Sequence, residues 1–124
     1  MNRYRVLVID DEEDFHDILT QTLTRKGFTL LHAFDGPSGL AAVAREVPDA
    51  VLLDLSMPGM DGFEVCRKIR SDPATAGVPV VMLTVRGVER DVIAGLDEGA
   101  DAYMTKPFDP DALVLRLKSL LEDA

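Results

Sequence analysis

The chain has 124 residues, 13 of them Lys or Arg and 22 Asp or Glu, for a net charge of −9 with neutral histidines. That length suits one domain with its own core, spanning 1–124. The acidic balance argues against a nucleic-acid surface, which needs clustered Lys and Arg, and no apolar run approaches the ~18–20 residues of a membrane span. Cys66, the one cysteine, has no internal disulfide partner. With no leader-like segment ahead of Arg5, the expected setting is the cytoplasm.

Short β-branched runs alternate with longer segments of helical period. Tyr4 to Ile9 reads as a buried strand. Phe15, Ile18, Leu19 and Leu23 then recur on one helical face, and Gly27 is the expected stop. Phe28 to Phe34 is the second strand. Gly36 to Glu46 is an Ala-rich helix with Leu40, Val43, Ala44 and Val47 inward, closed by Pro48. Ala50 to Leu55 is the third strand, followed by the loop Met57-Pro58-Gly59-Met60. Asp61 with Glu64 three residues on resembles a capping box, and Asp72-Pro73 ends the helix it opens. Val78 to Thr84 is the fourth strand. Val88, Val92 and Leu96 share a helical face that Gly99 stops. Ala102 to Thr105 is a short fifth strand, and Asp109 to Glu122 a last helix with Leu113, Leu117, Leu120 and Leu121 inward. Five apolar strands separated by five helices predict an α/β fold, an open parallel sheet covered on both faces. Five units are too few for an eight-fold barrel.

The polar residues fall where strands end. Asp10 and Asp11 close the first strand, Asp54 the third and Thr84 the fourth, and Lys106 follows the fifth. Open α/β sheets bind ligands outside the carboxyl ends of their strands, so these groups are expected in one crevice. Clustered carboxylates repel one another unless one is protonated or a hard divalent cation lies among them. Oxygen-only ligands suit Mg²⁺, and no His or Cys stands at these strand ends to suggest zinc or copper. A carboxylate, a hydroxyl, an ammonium and Mg²⁺ are the parts of phosphoryl transfer to a carboxylate nucleophile.

Asp10-Asp11, the run Asp54-Leu55-Ser56-Met57-Pro58-Gly59-Met60-Asp61-Gly62, Thr84 and Lys106-Pro107-Phe108 together resemble the motifs of a response-regulator receiver domain of bacterial two-component signalling. The resemblance runs from Val6 to Leu121 and implies the flavodoxin-like strand order 2-1-3-4-5. It implies that Asp54 accepts the phosphoryl group and that Asp11, Asp54 and the Ser56 carbonyl hold Mg²⁺, with Asp10 acting through water. It further implies that Lys106 and Thr84 contact the phosphoryl group, that Tyr103 is the switch aromatic, and that the Lys106–Pro107 bond is cis. Glu13 and Asp14 are read as acids favouring a helix N-terminus; Glu12 is assigned to neither role. His16 is read as a solvated residue of the first helix and His32 lies inside a strand, so neither is expected to carry phosphate. The donor is then a histidine kinase or histidine phosphotransfer protein.

Val85 stands where the family usually has Ala, Gly or Ser, and Arg86 follows. The expectation is a shielded, long-lived phosphate, against the alternative that Arg86 is an ordinary surface charge. The expected function is a phosphorylation-dependent switch that alters the surface of the fourth helix, fifth strand and fifth helix. It catalyses its own phosphoryl transfer and self-dephosphorylation and is not a turnover enzyme. Its downstream partner is open, and the chain is expected to be either a stand-alone receiver or one unit of a larger regulator. Two alternatives remain. One is a binding module of the same fold that no longer cycles. The other is an aspartate-nucleophile phosphohydrolase, disfavoured because Ser56 stands where such enzymes carry a second acid.

Overall fold

A computed structural model describes residues 4–55, 57–84, 99–106 and 109–122. Among them are strands β1 (Arg5–Ile9), β2 (Thr29–Ala33), β3 (Ala50–Asp54), β4 (Val80–Thr84) and β5 (Ala102–Thr105). The helices are α1 (Glu13–Thr24), α2 (Gly36–Glu46), α3 (Gly62–Ser71) and a C-terminal helix (Pro110–Glu122). All strand pairs are parallel, and the order is β2-β1-β3-β4-β5, as expected. The predicted helix carrying Val88, Val92 and Leu96 lies outside the described residues. Gly99, its expected stop, has φ +99°. Among the described residues no helix is long and apolar enough to cross a membrane.

Strand alternation divides the core. Leu7, Ile9, Val51, Leu53, Val80 and Met82 face α2 and α3, where they meet Ala42, Val43, Val65, Cys66 and Ile69. Val6, Val8, Ala50, Leu52, Val81 and Leu83 face the other way, onto Leu19 and Leu23 of α1 and Leu113, Val114 and Leu117 of the C-terminal helix. Both faces are buried, so the central strands read as continuous apolar runs. The order explains which helix goes where. The chain steps one way from β1 to β2 and the other way afterwards, and right-handed crossovers then put α1 and α2 on opposite faces. That reversal leaves a crevice beyond the carboxyl ends of β1 and β3.

Two helix faces differ from the sequence expectation. In α1 the buried residues are His16, Leu19 and Leu23, Phe15 is half-buried, and Ile18 is 57% exposed. The helix is turned so that His16 faces inward, where polar partners meet it. In α2 the buried residues are Gly36, Gly39, Ala42 and Val43, while Ala44 and Val47 are exposed. A Cβ on Gly39 would lie 2.6 Å from the Ile9 side chain. The helix therefore presses its small residues against the sheet, and its larger ones swing outward. Val47 leaves the helix as a left-handed cap at φ 40°, because the following Pro48 disfavours a helical conformation before it. At the last helix, Leu120 and Leu121 are only half-buried and Val114 joins the core in their place.

The amino end of the sheet is fastened by Arg70. Its Nε donates to the Gly99 carbonyl at 2.8 Å, and Nη1 donates to Ala76 and Val78 carbonyls at 3.0 and 2.6 Å. Nη2 meets Asp101 Oδ2 at 2.7 Å, and that oxygen also accepts the Val80 N–H at 2.8 Å. One planar guanidinium thus ties the end of α3 to the starts of β4 and β5.

Candidate functional site

The sheet register sets the site. Ile9 is level with Leu53, so Asp10 and Asp54 are the next residues on adjacent strands. Asp54 pairs with Leu83, which puts Thr84 one step further, and Thr84 pairs with Thr105 directly before Lys106. Four strand ends therefore place two acids, a hydroxyl and an ammonium along one edge. Asp10 is fully buried, and Asp54 and Thr84 are each 4% exposed. The Lys106 backbone N–H donates to the Thr84 carbonyl. Its Nζ donates to Asp10 Oδ2 at 2.6 Å. In strand order β1 and β5 are separated by β3 and β4. This ion pair consequently spans the two strand ends that carry Asp54 and Thr84.

Asp10 also turns the chain. Its Oδ1 accepts the Glu12 N–H at 2.9 Å, a local bond that redirects β1 into α1. Glu13 and Asp14 occupy the first turn of α1, where the helix dipole favours acids. Asp10, Asp11 and Glu12 can each present a carboxylate oxygen within 4.8 Å of the others. Glu12, unassigned from sequence, thus joins the compact acidic group, whereas Asp54 is not among the three. An all-oxygen donor set of this kind fits a hard cation such as Mg²⁺.

The loop after β3 is pinned from below. Met57 is buried and Met60 packs on the α2 and α3 side of the core. Gly59 has φ +79°, which a glycine adopts without strain. Asp61 accepts the Glu64 N–H at 3.0 Å and caps α3 as expected. Gly62 donates its N–H to the Leu55 carbonyl at 3.2 Å. A Cβ there would lie 2.8 Å from both the Asp54 carbonyl oxygen and Leu55 Cα. The motif's glycine thereby lets α3 begin in direct contact with the strand end bearing Asp54. Tyr103 is half-buried on β5, opposite Met82. Ser56, Val85, Arg86 and Pro107 lie outside the described residues.

His16 corrects the sequence reading. It is 2% exposed, not solvated. Its Nε2 lies 2.7 Å from the Asp10 carbonyl oxygen, which only accepts, so Nε2 carries a proton. Its Nδ1 lies 2.8 Å from His32 Nδ1, and Phe34 stacks on the ring at 4.2 Å. Burial holds the His32 pKa below its usual value, neighbouring His16 lowers it further, and Asp17 opposes both. The available signal was spacing: positions 16, 19 and 23 form one helical stripe, and a histidine at its start lies next to the strand end.

A doubly wound parallel sheet with buried acids and a lysine at its carboxyl edge defines an α/β module suited to binding an anion beside a cation. The chain matches the response regulator receiver domain family over residues 6–118, and it belongs to that family. It is 47% identical over 116 residues to response regulator PleD of Caulobacter vibrioides, covering 94% of this chain and 26% of PleD. It is 46% identical over 119 residues to the DNA-binding response regulator MtrA of Mycobacterium tuberculosis, covering 96% of this chain and 51% of MtrA. The chain thus spans about a quarter to a half of these relatives. Its structure resembles that of a putative response regulator from Chloroflexus aurantiacus with TM-score 0.93 and 34% identity, covering 98% of this chain and 99% of that one. Receiver domains of this family are signalling modules of two-component systems, not turnover enzymes.

Proposed function

We propose that this receiver domain is a Mg²⁺-dependent switch whose phosphoacceptor is Asp54. The observation that carries the reading is the Lys106–Asp10 contact at 2.6 Å, which closes the edge over the Asp54 and Thr84 strand ends. A buried carboxylate, a buried hydroxyl and an ammonium stand at the ends of three neighbouring strands, where no single strand could supply all three.

Asp10, Asp11, Asp54 and the Ser56 carbonyl would hold Mg²⁺, with Asp10 acting through water and Glu12 adjacent. When bound, the cation neutralises charge on the phosphoryl oxygens. An Asp54 carboxylate oxygen attacks phosphorus of a phosphohistidine on a histidine kinase or phosphotransfer protein. The P–N bond breaks, and its electron pair stays with the imidazole nitrogen. Lys106 turns from Asp10 toward a phosphoryl oxygen, and the Thr84 hydroxyl donates to another. Tyr103 follows Thr84, and the surface formed by β5, the C-terminal helix and the segment carrying Val88, Val92 and Leu96 changes its affinity for a downstream partner in the cytoplasm. Water later hydrolyses the acyl phosphate without a second enzyme. Replacing Val85 or Arg86 by alanine should speed that step. The unit that does this is the single domain 1–124.

Acetyl phosphate with Mg²⁺ tests the reading. Intact-mass analysis should find one added phosphoryl group on the wild type and none on Asp54→Asn. An adduct that persists in the variant overturns the assignment.

A further inference from the structure

The Lys106 ammonium has a second partner. Nζ lies 3.9 Å from the centroid of the Phe15 ring. Phe15 stands in the first turn of α1, half-buried and packed on the core cluster beneath α1 and the C-terminal helix. We propose that Phe15 is a positioning residue for phosphoryl transfer: its ring holds the Lys106 ammonium at the crevice once the Asp10 carboxylate turns to a cation.

The inference rests on reading Asp54 as acceptor and Lys106 as the group that meets the phosphoryl oxygens. Asp10 has one negative charge and two claimants. Its Oδ2 meets the Lys106 ammonium at 2.6 Å. The acidic group would hold a divalent cation through the same carboxylate, and that charge would repel the ammonium. A lysine released in this way has four rotatable bonds and a strongly hydrated head, so it spreads into solvent. Restoring it to the crevice then costs side-chain entropy in the step that needs it. The face of a phenyl ring attracts an ammonium, carries no net charge and cannot ligate the cation, so it does not enter that competition. The attraction is weaker than a charge pair, so the ammonium leaves it readily for a phosphoryl oxygen. A leucine would fill much the same space without this attraction.

A cation–π contact shifts an equilibrium by about 2- to 30-fold, depending on how far it is desolvated. Phe15→Leu should therefore slow phosphorylation of Asp54 by acetyl phosphate by about 3- to 10-fold, with half-saturating Mg²⁺ unchanged. Phe15→Tyr should keep the wild-type rate. In a Lys106→Met background, Phe15→Leu should have no further effect, whereas a purely structural role would slow both backgrounds alike. NMR supplies a reading independent of activity. The Lys106 ε-methylene protons should be shifted upfield by the ring in the wild type, remain so with Mg²⁺, and move to ordinary positions in Phe15→Leu. A wild-type rate in Phe15→Leu overturns the proposal, as does loss of the upfield shift on adding Mg²⁺ to the wild type. The NMR arm needs no variant, so a poorly folded variant does not shelter the idea. Failure of the acceptor reading shows separately, as an adduct surviving in Asp54→Asn.

Discussion

Gly62→Ala is the substitution whose consequence the structure defines most sharply. The new Cβ would lie 2.8 Å from the Asp54 carbonyl oxygen and from Leu55 Cα, and 3.3 Å from the Asp54 carbonyl carbon. All three obstacles are backbone, so no side-chain rotation relieves them. Ordinary contact requires the start of α3 and the end of β3 to separate by about 0.6 Å. Overpacking of this kind costs about 1–3 kcal/mol. Alanine's better helix propensity returns at most about 1 kcal/mol, and less at the first helical residue. The net loss should be about 1–2 kcal/mol, or a fall of about 4–8 °C in Tm for a domain of this size. Displacement at the Asp54 carbonyl should also slow phosphorylation of its side chain. Urea and thermal denaturation measure the first effect, and acetyl phosphate labelling the second. Gly77→Ala is the control, since a Cβ there meets nothing within 4 Å. If Gly62→Ala is as stable as Gly77→Ala, the packing argument is wrong.

Arg70→Ala should cost about 2–3 kcal/mol in urea denaturation by leaving three carbonyls without the guanidinium donor. Arg70→Lys should fail to restore it, because an ammonium cannot span the same fork, and Asp54 labelling of the folded protein should be unchanged in either variant. His32 gives a pH dependence. Its folded-state pKa lies below the ordinary 6.5, so between the two values the unfolded chain binds more protons than the folded one. Stability should therefore fall as pH drops from 6.5 through the lowered pKa, and His32→Gln should flatten that part of the urea-midpoint profile. Asp11→Ala should weaken Mg²⁺ affinity and Asp54 labelling together. Unchanged affinity by calorimetry would remove Asp11 from the ligand set.

Much of this protein is legible in its sequence because the signals are local. Strand runs such as Val6-Leu7-Val8-Ile9, the Asp61 cap and the breaks at Pro48 and Pro73 act within a few residues, and the elements among the described residues fall within one or two residues of expectation. Strand ends are also local, so the sequence alone puts Asp10, Asp54, Thr84 and Lys106 on one edge, as the register does. Helix rotation is not local. Hydrophobic period alone favoured Ile18 and Val47 as inward, yet His16 and Gly39 hold those places. The winning terms are contacts with other elements: the Asp10 carbonyl for His16, and the close approach of Ile9 for Gly39.

By itself the sequence determined the alternation of strands and helices and the chemistry available at the carboxyl edge, since both follow from period, punctuation and residue type. The tertiary structure alone decided which of those groups meet. Lys106 reaches Asp10 across two strands, Glu12 joins Asp10 and Asp11, and Phe15 lies under the ammonium. These pairings join residues up to 96 positions apart. They depend on sheet register and on the angle at which α1 leaves β1, quantities fixed only when the whole core packs.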